Sequence, residues 1–256
     1  MNTVPPLLPN ASSPESPTNL PLGKNPEDQI PITGVGSAIE AILRQPRRVL
    51  FQLRQPAQKS LVAGMLVIAV VCSVVYGLVV GTFSGHEQLW AAPAKIAIGL
   101  LISAVICLPS LYIFSCLSGS EARLGEVCGL VAGLLALMTV LLIGFAPVAW
   151  IFSQSTESIA AMGTLHLVFW LIATGFGLRF LQTGFSRLNA KTSAGFKVWS
   201  AIFLLVMLQM TAALRPIIGT APTLLPIEKK FFLIHWLDCL SDRNLKHENT
   251  REWAND

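Results

Sequence analysis

The sequence predicts an all-α fold, a polytopic bundle of about five transmembrane helices. Three observations carry that expectation. Hydrophobic residues make up 53% of the 256 and charged residues only 12%, where an ordinary soluble domain carries roughly 25% charged residues. The mean hydropathy of +0.61 asks for more apolar-facing surface than one soluble core provides. The apolar residues also come in blocks about the length of a bilayer crossing, roughly 17–25 residues as a helix. Lipid offers no partner to backbone N–H and C=O groups, so spanning blocks must be helices or closed barrels. The alternation of barrel strands is not seen.

Four regions follow along the chain. Residues 1–33, with Pro5, Pro6, Pro9, Pro14, Pro17, Pro21, Pro26 and Pro31, predict a disordered Pro-rich cytoplasmic tail. No basic stretch leads into an apolar core there, so the first span is expected to act as an uncleaved signal-anchor. Residues 34–59 predict a basic amphipathic juxtamembrane segment. Ser37 and Glu40 match a capping box. Ile39, Ile42, Leu43, Val49, Leu50 and Leu53 recur near the helical period, and Pro46 must break or bend the helix. Arg44, Arg47, Arg48 and Arg54 supply its charged side and are expected at the membrane surface. The plainer alternative is a linker whose arginines only set topology.

Residues 60–216 predict the transmembrane domain, with spans near 61–82, 96–117, 127–152, 164–185 and 198–215. The fourth block reaches spanning length only if it continues past Leu178 through Phe185, with Arg179 near the interface. Residues 217–256 predict a C-terminal interfacial helix and a polar tail. Phe231, Phe232 and Trp236 beside Lys229 and Lys230 suit the headgroup level. Packing over the span ends, or docking a partner, are the alternatives for Leu225–Leu240.

Lys and Arg counts outside the spans set the orientation. Five spans with a cytoplasmic N-terminus put eleven of the eighteen basic residues inside, one in an external loop and six in the external C-terminal region. A multi-pass protein of a bacterial-type inner membrane is therefore expected, with its C-terminus external.

Function is read mostly from exclusions. No acidic residue lies deep in a span, where a proton or ion pump commonly binds charge. Asp28, Asp238, Asp242 and Asp256 all lie outside the spans, so an intramembrane aspartyl protease is excluded. HExxH, the P-loop and GxSxG are absent. The five cysteines show no CxxC or Cys/His spacing, and no metal or cofactor is expected. No basic run with interleaved aromatics suggests nucleic acid. His166 is a histidine inside a span, close to its start, and reads first as an interfacial or packing residue.

The positive signal is packing. Gly77 and Gly81, then Gly99 and Ser103 (with Cys107), then Gly125, Gly129 and Gly133 repeat four residues apart on spans one, two and three. Small residues on one face let helices approach closely in lipid. They serve either the bundle itself or a homo-oligomer. Pro147 after Gly144 predicts a kink in span three. With His166, Gln209 and Thr211 it forms a candidate polar site in the membrane.

Residues 88–96 (QLWAAPAKI), 107–119 (CLPSLYIFSCLSG) and 144–156 (GFAPVAWIFSQST) resemble bacterial Yip1-like membrane proteins. QMTAALRPIIG at 209–219 and KKFF at 229–232 are similar to the RPFxG and NFF elements of those relatives, with Ile217 and Ile218 in place of the aromatic form. The resemblance covers roughly residues 88–240 and implies five spans with a cytoplasmic N-terminal region. The vesicle-traffic and small-GTPase partners of eukaryotic Yip1 proteins are not carried over.

The expected role is a non-enzymatic membrane-organising, assembly or scaffolding component. Its partners are the lipid bilayer and a membrane protein or a second copy of itself. One alternative is a permease or channel for a neutral or lipid-like solute. The other is a membrane enzyme using external loop residues such as His86, Glu87 and Glu157.

Overall fold

Charge-free apolar runs bounded by short polar loops leave the backbone one economical solution, long helices joined by tight connections. The computed structural model describes residues 22–56, 58–84, 88–120, 122–155, 159–187 and 193–213. In chain order they form α1 (Pro26–Gln29), α2 (Val35–Arg44), α3 (Pro46–Gln52), α4 (Gln58–Ser84), α5 (Gln88–Leu117), α6 (Leu124–Ser155), α7 (Ile159–Arg187) and α8 (Ser193–Ala213). There is no strand among the described residues.

Four helices are long and apolar enough to cross a membrane: Gln58–Thr82, Trp90–Leu117, Leu124–Ser155 and Ala161–Arg187. The fifth apolar block forms α8, whose apolar part is the shorter Gly195–Met210. The chain is thus an all-helical polytopic membrane protein. The tail before residue 22 and the interfacial helix expected after residue 216 lie outside the described residues.

The spans run alternately away from α1–α3 and back. The bundle therefore has a cap end, carrying those short helices, and a far end. α6 is the central element. Every residue from Gly129 to Thr139 is buried, and α6 packs against α4, α5 and α7. α8 packs on α5, where the Trp199 Nε1–H donates to the Cys107 carbonyl oxygen at 3.0 Å.

Ends and turns follow local chemistry. α5 closes with Gly119 at φ 72. There the Ser120 N–H bonds the Ser115 carbonyl and the Gly119 N–H bonds the Cys116 carbonyl, a Schellman arrangement that a glycine makes cheap. α6 opens with the Glu126 carboxylate accepting from the Arg123 N–H at 3.0 Å, one half of a capping box. The capping box expected at Ser37 and Glu40 does not form. Gly34, at φ 91, already turns the chain, and the Ser37 hydroxyl donates to the Thr33 and Gly34 carbonyls instead.

Residues 22–33, expected as tail, are folded in the structure. Asp28 is buried, accepts from the Gly23 N–H at 3.2 Å and pairs with Arg47 at 3.5 Å. The single amphipathic segment becomes two helices, because Pro46 ends α2 and occupies the first turn of α3, where its missing N–H does no harm. Span two also begins earlier than expected. α5 is helical from Gln88 through Pro93 and Lys95, so the lysine read as a loop boundary lies within the membrane helix.

Candidate functional site

Three contacts across helices define one layer of polar side chains in the far half of the bundle. In the first, the Tyr76 hydroxyl of α4 and Nδ1 of His166 on α7 lie 2.7 Å apart. The rings meet edge to face at 87°. In the second, Gly77 of α4 rests on the backbone of α5, since a Cβ there would lie 2.5 Å from the Pro93 Cα. Lys95, two residues past Pro93, is buried. Counting about 1.5 Å per residue in both helices puts Lys95 level with Tyr76. The third contact is the Trp199–Cys107 hydrogen bond. Gln209 lies ten residues beyond Trp199 and Lys95 twelve before Cys107. Their heights therefore agree to about 3 Å.

The layer thus holds a phenol, an imidazole, an amine and a carboxamide. Two of its atoms, His166 Nε2 and Gln209 Oε1, are buried with no hydrogen-bond partner among the described residues. If Tyr76 donates to Nδ1, Nε2 carries the ring proton; if Nδ1 donates, Nε2 is a bare acceptor. Either way the atom costs about 1–3 kcal/mol unless water or a ligand meets it. Both atoms could bond a polar guest.

The other residues of the expected polar site are placed less closely. Thr211 lies two residues past Gln209 in α8. Pro147 is exposed on α6, which remains helical through it. His86, Glu87 and Glu157 lie outside the described residues. Among the described residues no group of three His, Cys, Asp or Glu could hold a metal.

Tyr76 and Lys95 were missed by sequence reasoning. Lys95 had one available signal. Trp90, a typical interfacial anchor, precedes it by five residues, so the membrane boundary belongs before the lysine. Removing only the Tyr76 hydroxyl, by Tyr76→Phe, leaves both imidazole nitrogens without a partner. SDS-titration unfolding should show a loss of about 1–3 kcal/mol. The double variant Tyr76→Phe/His166→Phe should recover much of it, since no polar atom is then stranded.

The small-residue faces are filled by the chain's own side chains. Gly125 faces the Gln58 amide, Gly129 the Leu53 side chain, and Gly133 the Phe180 ring, with a hypothetical Cβ 2.6 Å from Phe180 Cε1. Gly81 and Gly99 are buried, and the buried Ser103 hydroxyl donates to the Gly99 carbonyl at 2.7 Å. α7 contributes glycines that sequence reasoning passed over. Gly184 receives Leu130 and Leu50, and Gly177 abuts Leu134. Their seven-residue spacing, two turns of one face, was the available signal.

The four arginines do not form one membrane-facing row. Arg44 and Arg54 are exposed, Arg44 pairing with Glu40 and Arg54 with Glu126, each at 3.8 Å. Arg47 meets the buried Asp28. Arg48 is only 8% exposed. Its Nε donates to the Ile30 carbonyl at 2.9 Å, one terminal nitrogen to the Pro31 carbonyl at 3.0 Å and the other to Gln45 Oε1 at 3.1 Å. It is therefore an internal tie, which corrects its expected place on the membrane surface. The planar fork of guanidinium explains the choice, since one side chain satisfies three acceptors at once.

The apolar residues of α2 divide between two faces. Ala38, Ala41 and Ile42 are buried, and α2 packs on α4 and α6. Val35, Ile39 and Leu43, four residues apart on an adjoining face, stay exposed or half-exposed. Glu40 and Arg44 lie on the polar side. No protein-family model, curated protein or solved structure matches the chain.

Proposed function

We propose that this protein is a non-enzymatic membrane-organising component, an assembly or scaffolding subunit of a bacterial-type inner membrane. In this reading it is a Yip1-like five-span chain with the N-terminal cap in the cytoplasm and the C-terminus outside. The observation that carries the reading is the cap itself. It is tied by Arg48 and seated by Leu50 and Leu53 on Gly184 and Gly129, so it presents a fixed surface at the membrane boundary. The basic residues gathered there support the cytoplasmic side.

Gentle purification into lipid nanodiscs with mass spectrometry tests the reading. A stoichiometric membrane-protein partner or a homo-oligomer is expected. A paired swap, Glu40→Arg with Arg44→Glu, keeps the helix pair but reverses the exposed pattern, and should weaken that association. A lone monomer with robust solute flux in proteoliposomes would overturn it.

A second reading, a permease for a neutral or lipid-like solute, is favoured by the unpartnered His166 Nε2 and Gln209 Oε1. Against it, side chains fill the bundle centre from Gly129 to Thr139. Under this second reading Gln209→Leu abolishes flux; flux that survives the change removes the site.

A further inference from the structure

A cleft of about 580 Å³ opens between the cap and the first turns of α4. Its volume is ordinary for a small-ligand site, roughly 300–1,000 Å³. Gln52, Gln55 and Ser60 line one part, Phe51, Leu61 and Ile68 another, and no charged residue lines it among the described residues. Along α4, Ser60 to Ile68 covers about 12 Å at 1.5 Å per residue. The lining thus passes from hydroxyl and amide groups near the start of the span to hydrocarbon within it, the gradient of an amphiphile.

The cleft also continues into a track. Gly64 lines it, and nothing lies within 4 Å of where its Cβ would be. Val67, Val71 and Val75 are exposed and share the helix face of Ser60 and Gly64. Gly64 to Val75 runs about 17 Å, comparable with an extended acyl chain. On the cap side, Val35 lines the cleft and heads the exposed apolar stripe of α2. Charge points to one class of headgroup. The cap's arginines are held in ion pairs or by backbone carbonyls, whereas Lys59, which adjoins Ser60 of the lining, is exposed.

We propose that this cleft holds one anionic glycerophospholipid of the surrounding bilayer. Its phosphate lies at the level of Lys59, and one acyl chain passes Gly64 and follows the valine track. The site is independent of the scaffolding role and goes beyond it.

The test is native mass spectrometry of the full chain in mild detergent, titrated with dioleoylphosphatidylglycerol or dioleoylphosphatidylcholine. One phosphatidylglycerol should persist at collision energies that strip the others, bound about fivefold tighter than phosphatidylcholine, the scale of one basic side chain beside an anionic headgroup. Lys59→Glu should erase that preference. Gly64→Leu fills the cleft and should lose the retained lipid. Gly144→Leu, at an equally open glycine in the far half, should keep it. A second measurement needs no variant: phosphatidylglycerol with a photoreactive acyl chain should crosslink within residues 29–38 and 60–75. Equal retention of the two lipids, retention unchanged by Gly64→Leu, or crosslinks spread evenly over all exposed faces would each overturn the site.

Discussion

Exchanging Arg48 for methionine is expected to free residues 22–33 from the bundle while α3 and the apolar helices stay in place. The Arg48 guanidinium reaches the Ile30 and Pro31 carbonyls and the Gln45 amide oxygen from a site only 8% exposed. Methionine fills similar space and donates nothing. The Pro31 carbonyl then loses the partner it has, and Ile30 retains only the Gln52 amide. Hydrogen bonds to a charged group contribute about 1.5–3 kcal/mol each and are not additive. A net loss of about 2–4 kcal/mol is therefore expected, roughly 30- to 1,000-fold in local opening.

Hydrogen exchange reads this directly, because the Ile32 N–H is held at 3.0 Å by Gln52 Oε1. Peptides covering residues 22–33 should exchange faster by that factor. Peptides covering 49–53 should not change, since Leu50 and Leu53 remain seated on Gly184 and Gly129. Arg48→Lys should fall between, because one ammonium cannot present three donors in the guanidinium plane. Unchanged protection of residues 22–33 in Arg48→Met would show that the tie contributes nothing.

The limits of the sequence reading have the same physical origin as this prediction. The four long apolar helices were legible because bilayer solvation acts on each residue separately, and a charge-free run of apolar residues announces itself. The break at Pro46 was legible for the same reason, being a property of one ring. The folded cap was not. Arg48 finds its acceptors 17 and 18 residues away, and those acceptors are backbone carbonyls, which every residue has. The glycine spacing on α6 was visible, but not that Leu53 of the cap would occupy Gly129. In the candidate site, His166 stood out by residue type. Its neighbour Tyr76 lies 90 residues away, and only the helix packing reveals the pair. Lys95 was misplaced because a charge beside Pro93 reads as a boundary, whereas the helix runs through both.

Gly77→Ala should be the most disruptive of the small-residue substitutions, and the reason separates it from its neighbours. At Gly77 the added Cβ would meet the Pro93 Cα at 2.5 Å and its nitrogen at 2.9 Å. Backbone cannot swing aside as a side chain can, so α4 and α5 must move apart. Overpacking of this kind costs about 1–3 kcal/mol. A helical Gly→Ala change by itself gains up to about 1 kcal/mol, which offsets only part of that loss. In lipid, where no hydrophobic drive holds helices together, close packing is the main attraction forfeited. Gly133→Ala should cost less, because the obstructing atoms belong to the Phe180 ring, which can shift. Gly144→Ala, with nothing within 4 Å, should be neutral or slightly stabilising. SDS-titration unfolding of the three variants should rank them in that order. Pro93→Ala should not rescue Gly77→Ala, since the two shortest contacts are to backbone atoms that alanine keeps. The same displacement would disturb the level at which Tyr76, one residue before Gly77, meets His166. Gly77→Ala should therefore also absorb part of the penalty of Tyr76→Phe in a double-mutant cycle. Full additivity of those two losses would mean that the close approach of α4 and α5 does not set the geometry of the polar layer.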